Sequence, residues 1–209
     1  SEQGSISYKS TTQVLLSEVN RYDGRVSQLE EGLPSWVLEH CKSHQEPHEY
    51  QSSLLAWNVL LLVLEKQGFD PKSLEFTITA QNKPKIKGVE FNISHSGDIV
   101  AVALSTSEVG VDIQREEEKD FDHLSVHLFG ENELKQYQMS EDKKKCFYEI
   151  WTKKEAFHKH VGDGIDMSKI KRDLPYQEIF TERLQYRFVF DDTLSFDCID
   201  NERVIVSII

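Results

Sequence analysis

The 209-residue sequence predicts an α+β fold: a pair of similar lobes, each a long helix packed on a small, mainly antiparallel sheet, with a site in the cleft between them. Three observations point there. A strongly helical stretch (48–68) precedes a set of strand-like segments, and a second one (143–160) precedes another set. The length is long for one ordinary domain and short for two, which suits halves of about 100 residues each. Neither a low-complexity linker nor a solenoid-period repeat divides the chain.

The elements follow in order. LSEVNRYDGRVSQLEEGL suggests a short strand or turn and then helical pieces, and PSWVLEHCKSH (34–44) reads as a helix stopped by Pro47. HEYQSSLLAWNVLLLVLEKQG (48–68) is a strong helix with Gly68 as its C-terminal signal. Its apolar run, 54–64, includes Asn58 and is too short to span a bilayer, so it reads as a buried core helix. SLEFTITA (73–80) alternates as a strand does, and a polar stretch (81–88) follows. EFNIS (90–94), DIVAVALS (98–105) and EVGVDIQ (108–114) read as three strands, and EEEKD as a solvated turn. FDHLSVHLFG and ENELKQYQ are short helical pieces before the long helix 143–160. LQYRFVF, TLSFDCI and RVIVSII, joined by DD and DNE turns, read as an antiparallel meander.

Composition narrows the function classes. Hydrophobic residues make up 38% and charged residues 29%, the balance of a soluble globular chain. The net charge of -12 argues against general nucleic-acid binding, which needs a basic face. Cys41, Cys146 and Cys198 match no metal or redox spacing and read as free thiols of a reducing cytosol. The polar start, SEQGSISYKS, has no secretory apolar core. A cytoplasmic protein without membrane or nucleic-acid partners is expected.

Three segments carry chemistry. In VGVDIQ, alternation sends Val109, Val111 and Ile113 into the core and Gly110, Asp112 and Gln114 to the other face. The glycine leaves room for a close approach, and a carboxylate with a second oxygen ligand on one face suits a hard divalent cation. A strand-end Asp–Gln pair bonded to water is the plain alternative. In WTKKEAFHK (151–159), helical spacing puts Trp151, Glu155 and His158 or Lys159 on one face, with Lys154 one step round. Glu155 and Lys159 suit a metal-bound phosphate, and equally an ordinary i,i+4 surface pair. Between 143 and 172 stand nine Lys and Arg against four acidic residues, a local basic stretch in an acidic chain. In FNISHSGD (91–98), Ser94-His95-Ser96-Gly97 reads as a polar turn with a hydroxyl, an imidazole and backbone N–H groups suited to phosphate. His40, His44 and His48 are spaced by four beside Cys41, yet Pro47 breaks the helix that would align them as zinc ligands.

The three segments together resemble the 4'-phosphopantetheinyl transferases of the two-lobed, Sfp-like type. That family joins a G-[IV]-D strand to a W-x-x-K-E-[AS]-x-x-K helix. Here both are complete, as Gly110-Val111-Asp112 and as Trp151, Lys154, Glu155, Ala156 and Lys159. The resemblance covers residues 91–165 and matches the first ninety only in general layout. It implies a monomeric pseudo-dimer with an N-terminal, coenzyme A-binding lobe (1–105) and a C-terminal lobe bearing the metal and the motif helix (106–209). The implied reaction is Mg²⁺-dependent transfer of the 4'-phosphopantetheine arm of coenzyme A to a serine of an apo acyl or peptidyl carrier protein, releasing 3',5'-ADP. Asp112 and Glu155 would hold the metal, with Gln114 where many relatives have a third carboxylate. Asp112, Glu155 and Lys159 would be catalytic, Glu155 taking the serine proton directly or through a water. His95, Ser94, Lys154, Lys159 and Lys83 would contact coenzyme A. Carrier proteins of this kind are acidic, so Lys143, Lys144 and Lys145 are expected to contribute to docking. The rival functions are a Mg²⁺-dependent phosphohydrolase and a non-catalytic carrier-binding module.

Overall fold

The computed structural model describes residues 12–161, 167–174, 184–190, 193–195 and 204–208. The chain enters through β1 (Thr12–Glu18), a 3-10 turn (Val19–Tyr22), α1 (Val26–Glu31), α2 (Ser35–Cys41) and α3 (Pro47–Lys66). Pro47 does not stop a helix but starts one. It sits in the first turn of α3, where a missing N–H costs nothing, and α2 has already ended at Cys41. The apolar run of α3 is buried almost throughout and forms the main core with β1 and the strands that follow. Asn58 is tolerated there because its amide donates to the carbonyls of Leu29 and Leu54, both at 2.8 Å, tying α1 to α3. Gly68, at φ +95, lets the chain leave the helix.

A small hairpin comes next, β2 (Phe76–Ile78) and β3 (Pro84–Ile86), turning through Asn82 at φ 61. Within the polar stretch 81–88, Pro84-Lys85-Ile86 thus supplies a short strand. Then β4 (Glu90–Ser96) and β5 (Ile99–Ser105) pair antiparallel. Ser94, His95 and Ser96 belong to β4, and the turn is Gly97-Asp98, with Gly97 at φ +55. After β6 (Val111–Arg115) come α4 (Phe121–Leu128), α5 (Glu131–Met139), α6 (Lys143–Val161), α7 (Met167–Ile170), β7 (Leu184–Phe190), β8 (Thr193–Ser195) and β9 (Val204–Ile208).

The large sheet runs β4-β5-β1-β7-β8 and is antiparallel except where β7 lies parallel to β1. The expected C-terminal meander is only half present. β7 and β8 pair antiparallel, but β9 departs to pair antiparallel with β6, Asp112 opposite Ser207. The DD and DNE segments expected as turns lie outside the described residues. The reason is that β6 lies against β4 through side chains alone. Its N–H groups at Val111, Ile113 and Arg115 donate to Asn92 Oδ1 (2.8 Å), Ser94 Oγ (3.2 Å) and Ser96 Oγ (2.8 Å). A backbone partner is still required, and β9 supplies it. Opposite Asn92 and Ser94 on β5 stand Ala103 and Ala101, small enough for Val111 and Ile113 to pack over the sheet in a second core. A third core joins α4, α5 and α6 through Phe129, Tyr137, Phe147 and Ile150, with Trp151 packed on its border. Cys41 and Cys146 are buried free thiols, and Cys198 lies outside the described residues. No helix among the described residues is long and apolar enough to cross a membrane.

Candidate active site

Helix α6 lies directly on Gly110, immediately before β6. A Cβ there would overlap the Ala156 carbonyl oxygen and the backbone nitrogen of His160. The close approach that the glycine permits is thus that of the helix itself. It brings the charged face of α6 down on the face of β6 that carries Asp112 and Gln114.

Asp112 is 3% exposed. Its Oδ1 accepts from Lys159 Nζ at 3.1 Å and from Ser94 Oγ at 3.3 Å, and its Oδ2 accepts from Gln114 Nε2 at 3.2 Å. Lys159 Nζ also donates to Ser94 Oγ and to the Val111 carbonyl, both at 3.1 Å. Burial pushes the Asp112 carboxyl above its usual range, and the Lys159 charge with the three hydrogen bonds works against that push. Glu155, one turn before Lys159, is buried, and its carboxyl is pushed up to about 7 by burial and then by the charge of Asp112, with Lys159 opposing. Two buried carboxylates against one ammonium leave an excess negative charge.

That imbalance fits a divalent cation. Asp112 and Glu155, with the Gln114 amide oxygen, would offer a hard, all-oxygen donor set of the kind Mg²⁺ takes. Among the described residues no group of three or more His, Cys, Asp and Glu side chains forms a cation site.

His95 points to the other face of β4, toward α3. Its imidazole is held below its ordinary pKa first by the protein around it. Glu49 opposes that effect, and Lys159, His44 and His48 add to it. His48 Nε2 lies 3.3 Å from Asp98 Oδ1 at the β4–β5 turn. Lys83 reaches the same region from β3's turn, where its ammonium donates to the Lys159 carbonyl at 2.9 Å. Asp112, Gln114, Ser94 and Lys159 are thus hydrogen-bonded neighbours, and Glu155 lies near enough to feel the charges of Asp112 and Lys159. Lys83 meets this group only through the Lys159 backbone, and His95 stands on the opposite side of β4.

Lys154 is not among them, which corrects its reading as a coenzyme A contact. Its side chain is wholly buried, as is that of Glu133, and the two form an ion pair at 2.5 Å. Lys154 also donates to the Arg172 carbonyl at 2.9 Å, and Glu133 accepts from the backbone of Gly130 and Leu174. The basic stretch is also less open than its count implies. Lys144 pairs with Glu118, Lys143 lies 3.8 Å from Asp122 and Lys145 4.0 Å from Glu149. Sequence reasoning missed Glu133 and Asn92, and read Ser96 as part of a phosphate-gripping turn where it is a rung that accepts from the Arg115 N–H. The N-x-S-x-S alternation at 92–96 and the G-x-x-E box at 130–133 were the available signals.

Comparison with known proteins gives one consistent picture. The sequence model of the 4'-phosphopantetheinyl transferase superfamily matches residues 108–203. A Synechocystis sp. protein provisionally named a 4'-phosphopantetheinyl transferase is 37% identical over 144 residues, 64% of this chain and 58% of its own length. The 4'-phosphopantetheinyl transferase HetI of Nostoc sp. is 32% identical over 108 residues, 47% of this chain and 46% of its own. The 4'-phosphopantetheinyl transferase Sfp of Bacillus subtilis is 26% identical over 136 residues, 62% of this chain and 60% of its own. The chain thus spans about half the length of the curated relatives it matches.

Proposed function

We propose that this chain, a sequence relative of the 4'-phosphopantetheinyl transferases, transfers the 4'-phosphopantetheine arm of coenzyme A to a serine of an apo acyl or peptidyl carrier protein. The observation that carries the reading is Lys159 seated on Asp112, with the raised carboxyl of Glu155 one turn away. The strand motif and the helix motif thereby meet at one group.

In the proposed reaction the serine oxygen forms a bond to the phosphorus that bears the pantetheine arm. The bond from that phosphorus to the bridging oxygen breaks, and 3',5'-ADP leaves with the electron pair. Positioning and charge neutralisation dominate such transfers. Asp112, Glu155 and the Gln114 oxygen would hold Mg²⁺, which when bound neutralises pyrophosphate charge. Lys159 moves from Asp112 to the pyrophosphate oxygens, which its partial exposure allows. Glu155 takes the serine proton, directly or through a water, and a carboxyl near neutrality suits that role. His95 contacts a phosphate of coenzyme A, and Lys83 lies toward its adenine and ribose end. Residues 1–105 and 106–209 act as the two lobes and the carrier docks near Lys143, Lys144 and Lys145, in a cytoplasmic monomer.

The test is incubation with coenzyme A, Mg²⁺ and an apo carrier protein, read by mass spectrometry of the carrier. A gain of one phosphopantetheine arm is expected. Release of phosphate or nucleotide with an unmodified carrier would instead support a phosphohydrolase, and no change at all a passive binding module.

A further inference from the structure

We propose that Ser94 is a positioning residue for the transfer reaction, holding Asp112 and the resting Lys159 in place. The inference rests on the transferase reading above. A hydroxyl has one proton to donate and two lone pairs to offer. The Ser94 hydroxyl spends all three inside the protein. It donates to Asp112 Oδ1 at 3.3 Å, and it accepts from the Ile113 N–H at 3.2 Å and from Lys159 Nζ at 3.1 Å. The residue is 5% exposed, so the group is closed over as well as saturated.

Its setting has the form of a built support. Asn92, Ser94 and Ser96 alternate along β4 and accept from alternate N–H groups of β6, so three side chains stand in for a strand backbone. Ser94 is the middle rung, beside the catalytic aspartate. The rungs need short side chains with an acceptor at a fixed reach, and alanines opposite Asn92 and Ser94 on β5 keep the face low there. β6 can then come near enough for Asp112 to meet α6. One hydroxyl therefore sets the height of β6, one oxygen of Asp112 and the resting place of the Lys159 ammonium. Supporting groups of this kind set ligand orientation and basicity without touching the metal.

The experiment compares Ser94→Ala, Ser94→Thr, Ser94→Cys and Ser96→Ala with the unaltered chain. Three quantities are read: Mn²⁺ affinity by electron paramagnetic resonance, 3',5'-ADP affinity by calorimetry without metal or carrier, and kcat with KM for coenzyme A. Ser94→Ala is expected to weaken Mn²⁺ binding by about 10-fold and to lower kcat to match. The 3',5'-ADP affinity and the KM for coenzyme A should stay within about two-fold. Ser94→Thr, which keeps the hydroxyl, recovers most of the loss. Ser96→Ala, at the ladder's far end, leaves Mn²⁺ binding as it was. If Ser94→Ala does not fold, Ser94→Cys gives the same comparison with a smaller loss. Unchanged Mn²⁺ binding would overturn the proposal, as would a ten-fold or larger loss of 3',5'-ADP affinity. If the unaltered chain transfers nothing to any carrier, the transferase reading fails, while the Mn²⁺ comparison still decides whether Ser94 supports the acidic pair.

Discussion

Helix α6 carries Lys154 and Lys159, each bonded to a carboxylate from another element, and the two pairs differ in almost every other respect. The Lys154–Glu133 pair is sealed, with both side chains at 0% exposure. Its charges balance, and backbone groups of Gly130, Leu174 and Arg172 satisfy what remains. The Lys159–Asp112 pair is unsealed, with the lysine 31% exposed and the aspartate 4%. It is also unbalanced, because Glu155 adds a second buried carboxylate. A sealed, balanced pair has no further chemistry to offer and ties α6 to α5 and to the segment after α7. An unbalanced pair with one partner near solvent can exchange its cation. The difference separates a brace from a site on a single helix.

The comparison can be broken most forcefully at the brace. Lys154→Met leaves a charged Glu133 buried without its counterion, which costs about 3–5 kcal/mol. A chain of this size should then melt roughly 10 °C lower. Adding Glu133→Gln removes the stranded charge but keeps the backbone bonds, and should recover at least half of the loss. A single variant that melts with the parent would show the pair to be dispensable.

The next effect lies in the site. The pKa of Glu155 in the folded chain, about 7, is raised above its ordinary value of 4.5. The stability this group contributes is therefore full below about pH 4.5 and is lost as pH rises through 7. Asp112 and Lys159 are the charges that face it. In chelator, Glu155→Gln should exceed the parent in stability by up to about 3 kcal/mol at pH 8, with the gap closing at pH 4.5. Urea melts across that range check the sign. A gap that widens toward low pH would reverse the argument.

Lys159→Met is smaller in stability, about 1–2 kcal/mol, since Ser94 and Gln114 still donate to Asp112. Mn²⁺ should restore this loss by replacing the ammonium, and it should do nothing for Lys154→Met. Transfer activity should fall by about 10²–10³. The smallest effect is at the surface. Reversing Lys143, Lys144 and Lys145 to Glu should leave the melting temperature nearly unchanged and raise the carrier's KM several-fold at constant kcat. Unaltered KM would remove these lysines from docking.

How much of this was legible in the sequence depends on how local each signal is. Strand alternation put Asp112 and Gln114 on one face, and helical spacing put Glu155 and Lys159 on another. Their meeting required both motifs. The brace was hidden because Glu133 sits in a short helix of polar residues and its partner lies 21 positions on. Lys154 and Glu155 are adjacent, and nothing local says that one turns inward to a brace and the other to a site. The β4–β6 ladder was illegible for a related reason. Short-range patterns predict backbone pairing, and here serine and asparagine side chains do that work. The departure of β9 to β6 follows from the ladder and was hidden with it. The antiparallel pairing of β7 with β8 was easier, since the two strand-like segments stand two residues apart in the sequence.

The account rests on Asp112 and Glu155 acting on a single divalent ion. Titration with Mn²⁺ followed by electron paramagnetic resonance tests this most directly, on the parent, Asp112→Asn and Glu155→Gln, each shown to be folded by its melt. The account predicts one tightly bound ion per chain in the parent and a loss of binding of at least ten-fold in each variant. Parent-like binding in either variant would contradict it.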